Sequence, residues 1–527
     1  MVANGSSDND VAIDNPTPHR LEVGDNAIPL EVSGHTATDK LVIFMVGLPA
    51  TGKTHTAKRI CRYLSFFHDI PSKIFNVGDY RRKMCGNSMP ASFYLHDNAE
   101  GRAARHTACD AALADLVEFM RPDGVRVGVY DATNSTKERR QHLRSWLADS
   151  GVGTKFMCIE SICTDQRLLD ENIRTVKLNT PDYRDMDPEE AVADFSARRE
   201  AYAKVYETVG DDEGCPFVKV HDCITFVVHR IRGYLPLKVA HFVMNLHTLP
   251  RTIYLSRHGQ SEYNLLGKIG GDSGLSKCGI EFAKRLAVFA REEIACDSGV
   301  GEDDEDKAEE SKERRPCRLW TSNLLRTKET AQFIERPRLT FTADAFGKHE
   351  WIQFRHVIRR NLDEIYAGAC DGMTYAEIEQ TMPDEFARRQ MDKLSYRYPR
   401  GESYMDVMLR LEPLAHEMER TREPVLIIGH QGIHRIIYAY MTGLSREEAP
   451  YVSIPLNTVI ELRPHAYGCH ERRICLMNKK EMSDMLDDGQ DEPRPVTSMP
   501  LPPSRRKSVA KTEDFTKGDP IMDPLSH

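Results

Sequence analysis

The chain of 527 residues has few cysteines and no closely spaced pair of them. Its 13 cysteines are irregularly spaced without a C-x-x-C motif, which argues against a disulfide scaffold and against a zinc ribbon. The longest apolar runs, such as residues 41–48, are far shorter than the ~20 residues that cross a bilayer. The first 39 residues lack the apolar core of a secretion signal. We therefore expect reduced thiols, no membrane insertion and a cytoplasmic location.

The sequence also lacks an excess of basic residues. It carries 71 Lys and Arg against 80 Asp and Glu, and the net charge is −9 with both signs mixed along the chain. A surface for nucleic acid or for an anionic membrane needs a basic patch, so neither partner is expected. At roughly 150 residues per domain, the length predicts two to four folded units.

Four segments can be distinguished along the chain. Residues 1–39 are polar without periodicity, which predicts a disordered N-terminal arm. Short apolar runs alternate with helical patterns over residues 40–248 and again over residues 249–475, which predicts two tandem α/β domains with mainly parallel sheets. An acidic stretch near residues 300–315 reads as a solvated insertion in the second domain. Residues 476–527 are mostly polar, which predicts a disordered C-terminal tail.

The tail contains a candidate modification site. Ser508 follows Arg505-Arg506-Lys507, a pattern typical of basophilic protein kinases, although basic residues beside a serine are common in such tails. A protein kinase is therefore a candidate partner of the tail.

The first domain contains a phosphate-binding motif. Residues 47–54 read G-x-x-x-x-G-K-[ST] between an apolar strand pattern and a helical pattern. Gly47 and Gly52 let backbone N–H groups turn toward a phosphate, Lys53 neutralises the β and γ oxygens, and Thr54 can bind Mg²⁺. We expect ATP as the nucleotide, although the loop itself does not distinguish ATP from GTP.

A second magnesium ligand is expected at the end of a neighbouring strand. Asp131 directly follows the strand pattern of residues 125–130, although it could instead cap a helix over residues 134–147. The same half carries cationic side chains that could stabilise a phosphoryl group during transfer. They are Arg81, Arg82, Arg105, Arg139, Lys177 and Arg198.

The second domain places two histidines after strand patterns. His258 follows residues 252–256 with Arg257 beside it, and His430 follows residues 426–428. Arg326 lies on a helix after a third strand pattern. Such a group fits a tetrahedral dianion, with His258 attacking the phosphorus in line while the other three neutralise the oxygens. The leaving alkoxide needs a proton, and Glu364 is the candidate acid.

Ordered motifs connect both halves to a known family. They are GLPATGKT, FNVGDYRR, YDATNSTKERR, TPDY, SRHGQSEYN, GKIGGDSGLS, WTSNLLRT, LDEIYAG, YRYPRGESY, GHQGIHR and PYVSIPLNTV. Over about residues 40–475, the chain resembles the bifunctional 6-phosphofructo-2-kinase/fructose-2,6-bisphosphatase family. The resemblance implies a P-loop kinase that transfers the γ-phosphate of ATP to O2 of fructose 6-phosphate. It also implies a histidine phosphatase of the phosphoglycerate-mutase-like fold that removes this phosphate, so that the protein controls glycolysis and gluconeogenesis, and it suggests a homodimer.

The resemblance assigns roles residue by residue. It implies nucleotide contacts at the 47–54 loop and along residues 172–177, including Asn172 and Lys177, and active-site roles for Asp131 and Cys163. The fructose 6-phosphate ligands that it implies are Arg81, Arg105, Thr133, Arg139, Lys177, Arg198 and Tyr202. It assigns His258 as nucleophile and Glu364 as proton donor. Around the 2-phosphate it places Arg257, Asn264, Arg326 and His430, and it includes Gly270 among the substrate-binding residues. Around the sugar and its 6-phosphate it places Tyr375, Arg389, Lys393, Tyr404, Gln431 and Arg435.

Two departures and two alternatives accompany this assignment. Thr51 stands where the family usually has arginine, and Lys268 replaces a common arginine without its bidentate geometry. The second domain could instead be a mutase-like isomerase, since mutases also use a phosphohistidine, or both sites could be inactive in a regulatory scaffold. Phosphate release from fructose 2,6-bisphosphate separates the phosphatase from the mutase, and synthesis of the bisphosphate excludes the scaffold.

Overall fold

The computed structural model describes residues 40–482 except 88, 96, 175–179, 184–185, 248, 297–313, 344–346, 466–467 and 479, and leaves out the side chains of 91, 168, 171, 341–343 and 347. The N-terminal arm, most of the acidic stretch, Lys177 and Ser508 therefore lie outside the described residues. Within the described part of the chain, no helix is long and apolar enough to cross a membrane.

The first half is built on a six-stranded sheet in the order β2-β3-β1-β4-β5-β6, in which only β6 is antiparallel to its neighbour. The run Lys40–Val46 is buried along nearly its whole length, as expected for a central strand covered on both faces. The strands are β1 (Lys40–Val46), β2 (Ser72–Asn76), β3 (Arg126–Asp131), β4 (Lys155–Ile162), β5 (Phe217–His221) and β6 (Thr225–His229). The helices are α1 (Lys53–His68), α2 (Val77–Cys85), α3 (Ala99–Met120), α4 (Lys137–Asp149), α5 (Gln166–Asn172), α6 (Pro188–Ala203) and α7 (Tyr234–Val243).

The second half is built on a sheet in the order β11-β8-β12-β7-β13-β14, and its first four strands are parallel. The strands are β7 (Ile253–Arg257), β8 (Arg318–Thr321), β11 (Arg355–Ile358), β12 (Val425–Gly429), β13 (Thr458–His465) and β14 (Gly468–Cys475), with β9 (Arg338–Ala343) and β10 (Gly347–Ile352) as a separate hairpin. The helices are α8 (Glu262–Leu265), α9 (Lys277–Phe289), α10 (Leu325–Thr330), α11 (Tyr375–Thr381), α12 (Pro383–Met391), α13 (Tyr404–Arg420) and α14 (Gln431–Thr442). Two mainly parallel α/β sheets confirm the predicted fold class.

Strand order explains which loops meet. In the second sheet β8, β12 and β7 are adjacent and parallel, so the residues after them share one edge. In the first sheet β3 and β1 are adjacent, which places Asp131 beside the loop that follows β1. Ligands of open α/β sheets bind at this carboxyl edge.

Helix α1 lies between the two halves. One continuous hydrophobic core contains Tyr63 and Phe66 of α1, Phe242 of α7, Leu411 of α13 and Tyr440 of α14. The rings of Tyr63 and Phe242 stack with 4.2 Å between their centroids. The two halves are therefore packed through apolar side chains rather than joined only by a linker.

A buried carboxylate accompanies this apolar contact. Glu419 of α13 is inaccessible to solvent and pairs with Arg59 of α1. Its carboxylate also accepts from Arg251 Nη2 at 2.5 Å and from Tyr440 Oη at 2.8 Å. Breaking a buried ion pair of this kind leaves an uncompensated charge, so this contact fixes how α1 sits on the second half.

Candidate active sites

The loop after β1 is shaped for close approach of a phosphate. Gly47 has φ +139°, and a Cβ there would lie 2.3 Å from the carbonyl oxygen of Ser161, so only glycine fits. The Gly47 N–H donates to the Thr133 carbonyl at 3.0 Å, and the Asn172 amide donates to the Ala50 carbonyl at 3.2 Å. These bonds hold the loop at the N-terminus of α1, where free N–H groups favour an anion.

The side chains of Thr54, Asn76 and Asp131 converge beneath this loop. Thr54 Oγ1 and Asn76 Nδ2 each donate to Asp131 Oδ2 at 2.7 Å, and Lys53 Nζ donates to the Leu48 carbonyl at 2.5 Å. Asp131 does not cap α4, because the N-cap is Thr136, whose hydroxyl accepts from the Arg139 N–H. The structure thus brings together Thr54 and Asp131, the two side chains proposed as magnesium ligands.

A cavity of about 1770 Å³ opens beside the loop. Single small-molecule sites typically measure ~300–1,000 Å³, so this cavity has room for two ligands side by side. Many of the residues singled out in the first half line it: Gly52, Lys53, Thr54, Arg81, Arg82, Arg105, Asp131, Thr133, Arg139, Asn172, Arg198 and Tyr202. Gly47 contributes to the loop through its backbone and does not line the cavity.

Asp182 lies among the arginines of this cavity and was missed in the sequence. Arg81 Nη2 lies 2.7 Å from both carboxylate oxygens, and the guanidiniums of Arg82 and Arg198 approach to 3.3 and 3.6 Å. Burial raises the pKa of Asp182, but the hydrogen bond from Arg81 and the three arginine charges outweigh it and hold the pKa below its usual value. The sequence feature that could have identified Asp182 is its position in the motif TPDY.

Several buried donors in the cavity lack a partner among the described residues. They are Arg81 Nη1, Arg139 Nη1, Arg198 Nε and Tyr94 Oη. The guanidinium of Arg198 lies 3.8 Å from the centre of the Tyr94 ring. Buried donors without partners are costly, so their clustering indicates a place for an anion. No sequence pattern pointed to Tyr94.

Cys163 does not line the cavity. Its thiol donates weakly to the Asp165 carbonyl at 3.7 Å. Burial and the Asp222 carboxylate raise the pKa of Cys163 to about 11, which keeps the thiol protonated at neutral pH.

In the second half, His258 is held in one tautomer. Its Nδ1 lies 2.7 Å from the Gly259 carbonyl, and because a carbonyl only accepts, Nδ1 carries the proton. The lone pair is then on Nε2, where Arg326 Nε donates at 3.2 Å. Burial, followed by the charges of Arg326 and Arg257, lowers the pKa of His258 well below its usual value. The imidazole is therefore neutral and carries its lone pair on Nε2.

His430 and Arg257 complete the group. The rings of His258 and His430 lie 5.1 Å apart, and His430 Nε2 is 2.7 Å from Ser322 Oγ. Arg257 Nη1 donates to the Ile454 carbonyl at 3.1 Å. Among the described residues, His430 Nδ1 and Arg257 Nε have no hydrogen-bond partner. The four side chains predicted around a phosphate do come together.

The side chain of Glu364 lies against the first turn of α14. Both of its carboxylate oxygens lie 3.2 Å from the Gly432 N–H, and Oε1 also accepts from the Ile365 N–H at 3.0 Å. A Cβ on Gly432 would lie 2.6 Å from Oε1, so glycine is required for this approach. The carboxyl group is thereby positioned against the same pocket as His258.

Both halves match known families. Residues 31–250 match the family model of 6-phosphofructo-2-kinase, and residues 305–476 match the histidine phosphatase superfamily (branch 1). A relative from Gallus gallus named 6-phosphofructo-2-kinase/fructose-2,6-bisphosphatase is 39% identical over 461 residues, which are 87% of this chain and 88% of the relative. This chain belongs to the 6-phosphofructo-2-kinase/fructose-2,6-bisphosphatase family. The resemblance found in the sequence is confirmed.

A second relative agrees with this family. A relative from Rattus norvegicus named 6-phosphofructo-2-kinase/fructose-2,6-bisphosphatase 4 is 40% identical over 438 residues, 82% of this chain and 85% of its own. A solved mycobacterial glucosyl-3-phosphoglycerate phosphatase covers 43% of this chain and 98% of its own at 21% identity, with a TM-score of 0.31, which is too low to support an argument. We refer to residues 40–248 as the kinase half and to residues 249–475 as the phosphatase half.

Next to His258, the phosphatase half forms a pocket of about 150 Å³. Arg389 donates to Tyr398 Oη at 2.8 Å and to Tyr375 Oη at 2.9 Å. Burial, followed by the charges of Arg435 and Arg389, lowers the pKa of Lys393 to about 7. The predicted residues that line the pocket are Arg257, His258, Asn264, Gly270, Arg326, Glu364, Tyr375, Arg389, Lys393, Tyr404, Gln431 and Arg435. Tyr398 was missed, although the quoted motif YRYPRGESY contains it.

Proposed function

We propose that this chain is a bifunctional enzyme that synthesises fructose 2,6-bisphosphate from fructose 6-phosphate and ATP and hydrolyses it through a phosphohistidine. The observation that carries the proposal is that a chain of this family holds two separate cationic cavities, one beside Lys53 and one beside His258. Together the two activities set the level of one sugar bisphosphate.

For the kinase, the 47–54 loop binds the triphosphate of ATP, and Lys53 neutralises the β and γ oxygens. The hydroxyl of Thr54 and the carboxylate of Asp131 offer oxygen ligands, which Mg²⁺ prefers. The two oxygens lie 2.7 Å apart, so both are next to the same position. Bound there, Mg²⁺ supplies charge neutralisation of the phosphates. The unpartnered arginine N–H groups bind the 6-phosphate of the sugar and position its O2 for in-line attack.

For the phosphatase, His258 Nε2 attacks the phosphorus of the 2-phosphate, and the bond from phosphorus to O2 breaks. Arg257, Arg326 and His430 stabilise the negative charge on the equatorial oxygens. Glu364 gives a proton to O2 as the sugar leaves and then takes one from the water that attacks the phosphohistidine. The sugar and its 6-phosphate are held by Tyr375, Arg389, Lys393, Tyr404, Gln431 and Arg435.

The experiment that tests the proposal measures both reactions on one purified sample. We expect ATP-dependent formation of fructose 2,6-bisphosphate and release of inorganic phosphate from that product. Isomerisation of 3-phosphoglycerate without phosphate release would favour the mutase-like alternative instead. Absence of both reactions in a folded protein would favour the regulatory scaffold.

The remaining sequence predictions are part of the same proposal. We propose a homodimer in the cytoplasm, with the tail modified at Ser508 by a protein kinase, and domain limits at residues 40–248 and 249–475. Light scattering on the purified chain tests the dimer. Mass spectrometry of the chain isolated from its cells, compared with a Ser508→Ala variant, tests the modification.

A further inference from the structure

Tyr130 is a buried side chain with a polar end that the reactions proposed above do not use. It is the last residue but one of β3, directly before Asp131. Its side chain is fully buried in the core that the first sheet forms with α3 and α4. The strand register pairs it with Phe44 of β1 and Phe75 of β2, and the Phe44 ring meets it edge-on at 6.1 Å. Packing therefore fixes where its hydroxyl lies.

The Tyr130 hydroxyl connects two helices at the wall of the large cavity. Its Oη accepts from Arg139 Nη2 of α4 at 2.9 Å and donates to the Cys109 carbonyl of α3 at 3.3 Å. A guanidinium only donates and a carbonyl only accepts, so the direction of both bonds is settled. Arg139 and Cys109 line the cavity, whereas Tyr130 lies behind them. Any effect of this hydroxyl on a substrate therefore passes through its neighbours.

The hydroxyl keeps its proton at neutral pH. Burial, followed by Cys109, raises the pKa of Tyr130 well above its usual value, and the charge of Arg139 opposes this shift only in part. A phenolate would form an ion pair with Arg139 and use up part of its charge. The neutral hydroxyl instead orients the guanidinium and leaves its positive charge in place.

Arg139 differs in this respect from Arg81 in the same cavity. Arg81 is held by the carboxylate of Asp182, which offsets part of its charge. The group that holds Arg139 is a neutral hydroxyl on Nη2, and its buried Nη1 has no partner among the described residues. A buried donor of this kind indicates a ligand that supplies an acceptor. Arg139 is thus oriented and still able to bind an anion.

We propose that Tyr130 is a positioning residue for fructose 6-phosphate, whose hydroxyl orients Arg139 so that Nη1 faces the 6-phosphate. This role rests on the proposed function of the kinase half. Arg105 lies on α3 about one turn before Cys109, and the resemblance assigns it to the same substrate. The hydroxyl therefore links the two helices that carry Arg105 and Arg139, and it holds both arginines at a fixed spacing.

The test compares the wild type with Tyr130→Phe, which removes the hydroxyl and keeps the buried ring. Isothermal calorimetry on the full chain, with a non-hydrolysable Mg–ATP analogue present, gives the dissociation constant for fructose 6-phosphate. We expect this constant to rise about 3- to 10-fold in the variant, the usual effect of one lost hydrogen bond. Because the orienting bond serves substrate and transition state alike, the KM for the sugar should rise while kcat stays within about 2-fold.

A double-mutant cycle shows whether the hydroxyl acts through Arg139. Arg139→Gln removes the guanidinium and by itself weakens binding of fructose 6-phosphate. If Tyr130 acts by orienting this group, adding Tyr130→Phe to Arg139→Gln causes no further loss. An equal loss from Tyr130→Phe in both backgrounds would mean that Tyr130 supports the fold rather than Arg139, and it would overturn the proposal.

Tyr80→Phe is the matched control. Tyr80 packs against the same core, and its hydroxyl donates to Asp115 of α3 at 2.7 Å, but it does not line the cavity. We expect this variant to bind fructose 6-phosphate as the wild type does. A rise equal to that of Tyr130→Phe would show that the loss of any hydroxyl in this core weakens the substrate, and the positioning role would fail.

This role and the proposed function fail at different measurements. If the wild type does not bind fructose 6-phosphate, the proposed kinase reaction fails and the role of Tyr130 fails with it. If the wild type binds it and forms the bisphosphate while Tyr130→Phe binds equally well, only the role of Tyr130 is overturned. A fall in kcat together with weaker binding of the ATP analogue in Tyr130→Phe would indicate that the neighbouring Asp131 has moved, and it would also overturn the role.

Discussion

At the scale of single residues, the tautomer of His258 depends on the hydrogen bond that its Nδ1 makes. The Gly259 carbonyl at 2.7 Å fixes the proton on Nδ1, and burial among arginines keeps the ring neutral. A neutral, oriented imidazole is a better nucleophile than the imidazolium that a solvent-exposed histidine becomes in acid. Neither feature is visible in the motif SRHGQSEYN.

Replacing His258 by alanine removes the nitrogen that is proposed to attack the phosphorus. We expect phosphate release from fructose 2,6-bisphosphate to fall by ~10⁴-fold or more, with synthesis of the bisphosphate retained. The measurement is phosphate release and bisphosphate formation on the same preparation. Loss of both reactions in a folded variant would contradict the assignment of two separate sites.

Replacing Lys53 by methionine removes the charge at the phosphate loop while keeping the side-chain length. We expect synthesis to fall by ~10²–10³-fold, the usual cost of removing one preorganised charge, while hydrolysis is unchanged. The pair of variants, Lys53→Met and His258→Ala, thus serves as its own matched control. Unchanged synthesis in Lys53→Met would show that the loop does not hold the transferred phosphate.

Lys393 should make substrate binding depend on pH. Its pKa of about 7 means that the amine is charged below pH 7 and increasingly neutral above it. Because the neutral amine no longer attracts a phosphate, we expect the KM for fructose 2,6-bisphosphate to rise on the order of tenfold from pH 7 to pH 9. In Lys393→Met the KM should be high at both pH values, and Lys277→Met, an exposed lysine on α9, should follow the wild type. If the KM of Lys393→Met rose between pH 7 and pH 9 as in the wild type, Lys393 would not be the origin of the pH dependence.

At the scale of secondary-structure elements, strands were easier to predict than helix starts. The strand patterns of residues 125–130 and 252–256 differ from the observed strands, β3 and β7, by one residue at each end. Helix α4 begins at Lys137, three residues after the predicted start at 134, because the Thr136 side chain caps it by accepting from the Arg139 N–H. Side-chain contacts such as Arg81 with Asp182 join positions about one hundred residues apart, so no local pattern revealed them.

The contact of α1 with α13 provides a test of stability. Glu419→Gln leaves Arg59 and Arg251 without their buried counter-charge, so we expect the free energy of unfolding to fall by about 3–5 kcal/mol. Urea denaturation measures it. The matched control is Glu350→Gln, which breaks an exposed pair with Arg338 and should cost about 1 kcal/mol or less. Equal effects in both variants would show that the buried contact does not stabilise the junction.

At the scale of the whole molecule, the two halves share one hydrophobic core. Ile60, Phe66 and Phe67 of α1 are buried in the same cluster as side chains of α13 and α14. A fragment of residues 1–250 would expose these side chains. We therefore expect its melting temperature to lie at least ~5 °C below the corresponding transition in the full chain. Differential scanning calorimetry measures both, and equal melting temperatures would mean that the halves are stable independently.

Helices α1 and α14 each begin at the loop of a proposed catalytic site and touch at their far ends. Helix α1 starts with Lys53 and α14 directly follows His430, while Arg62 of α1 donates to the Tyr440 carbonyl at 3.1 Å. One residue added within either helix would rotate everything beyond it by about 100° and break this junction. The lengths of both helices are therefore fixed from both ends, and we expect added residues to be tolerated in the surface loops of the chain but not within these two helices.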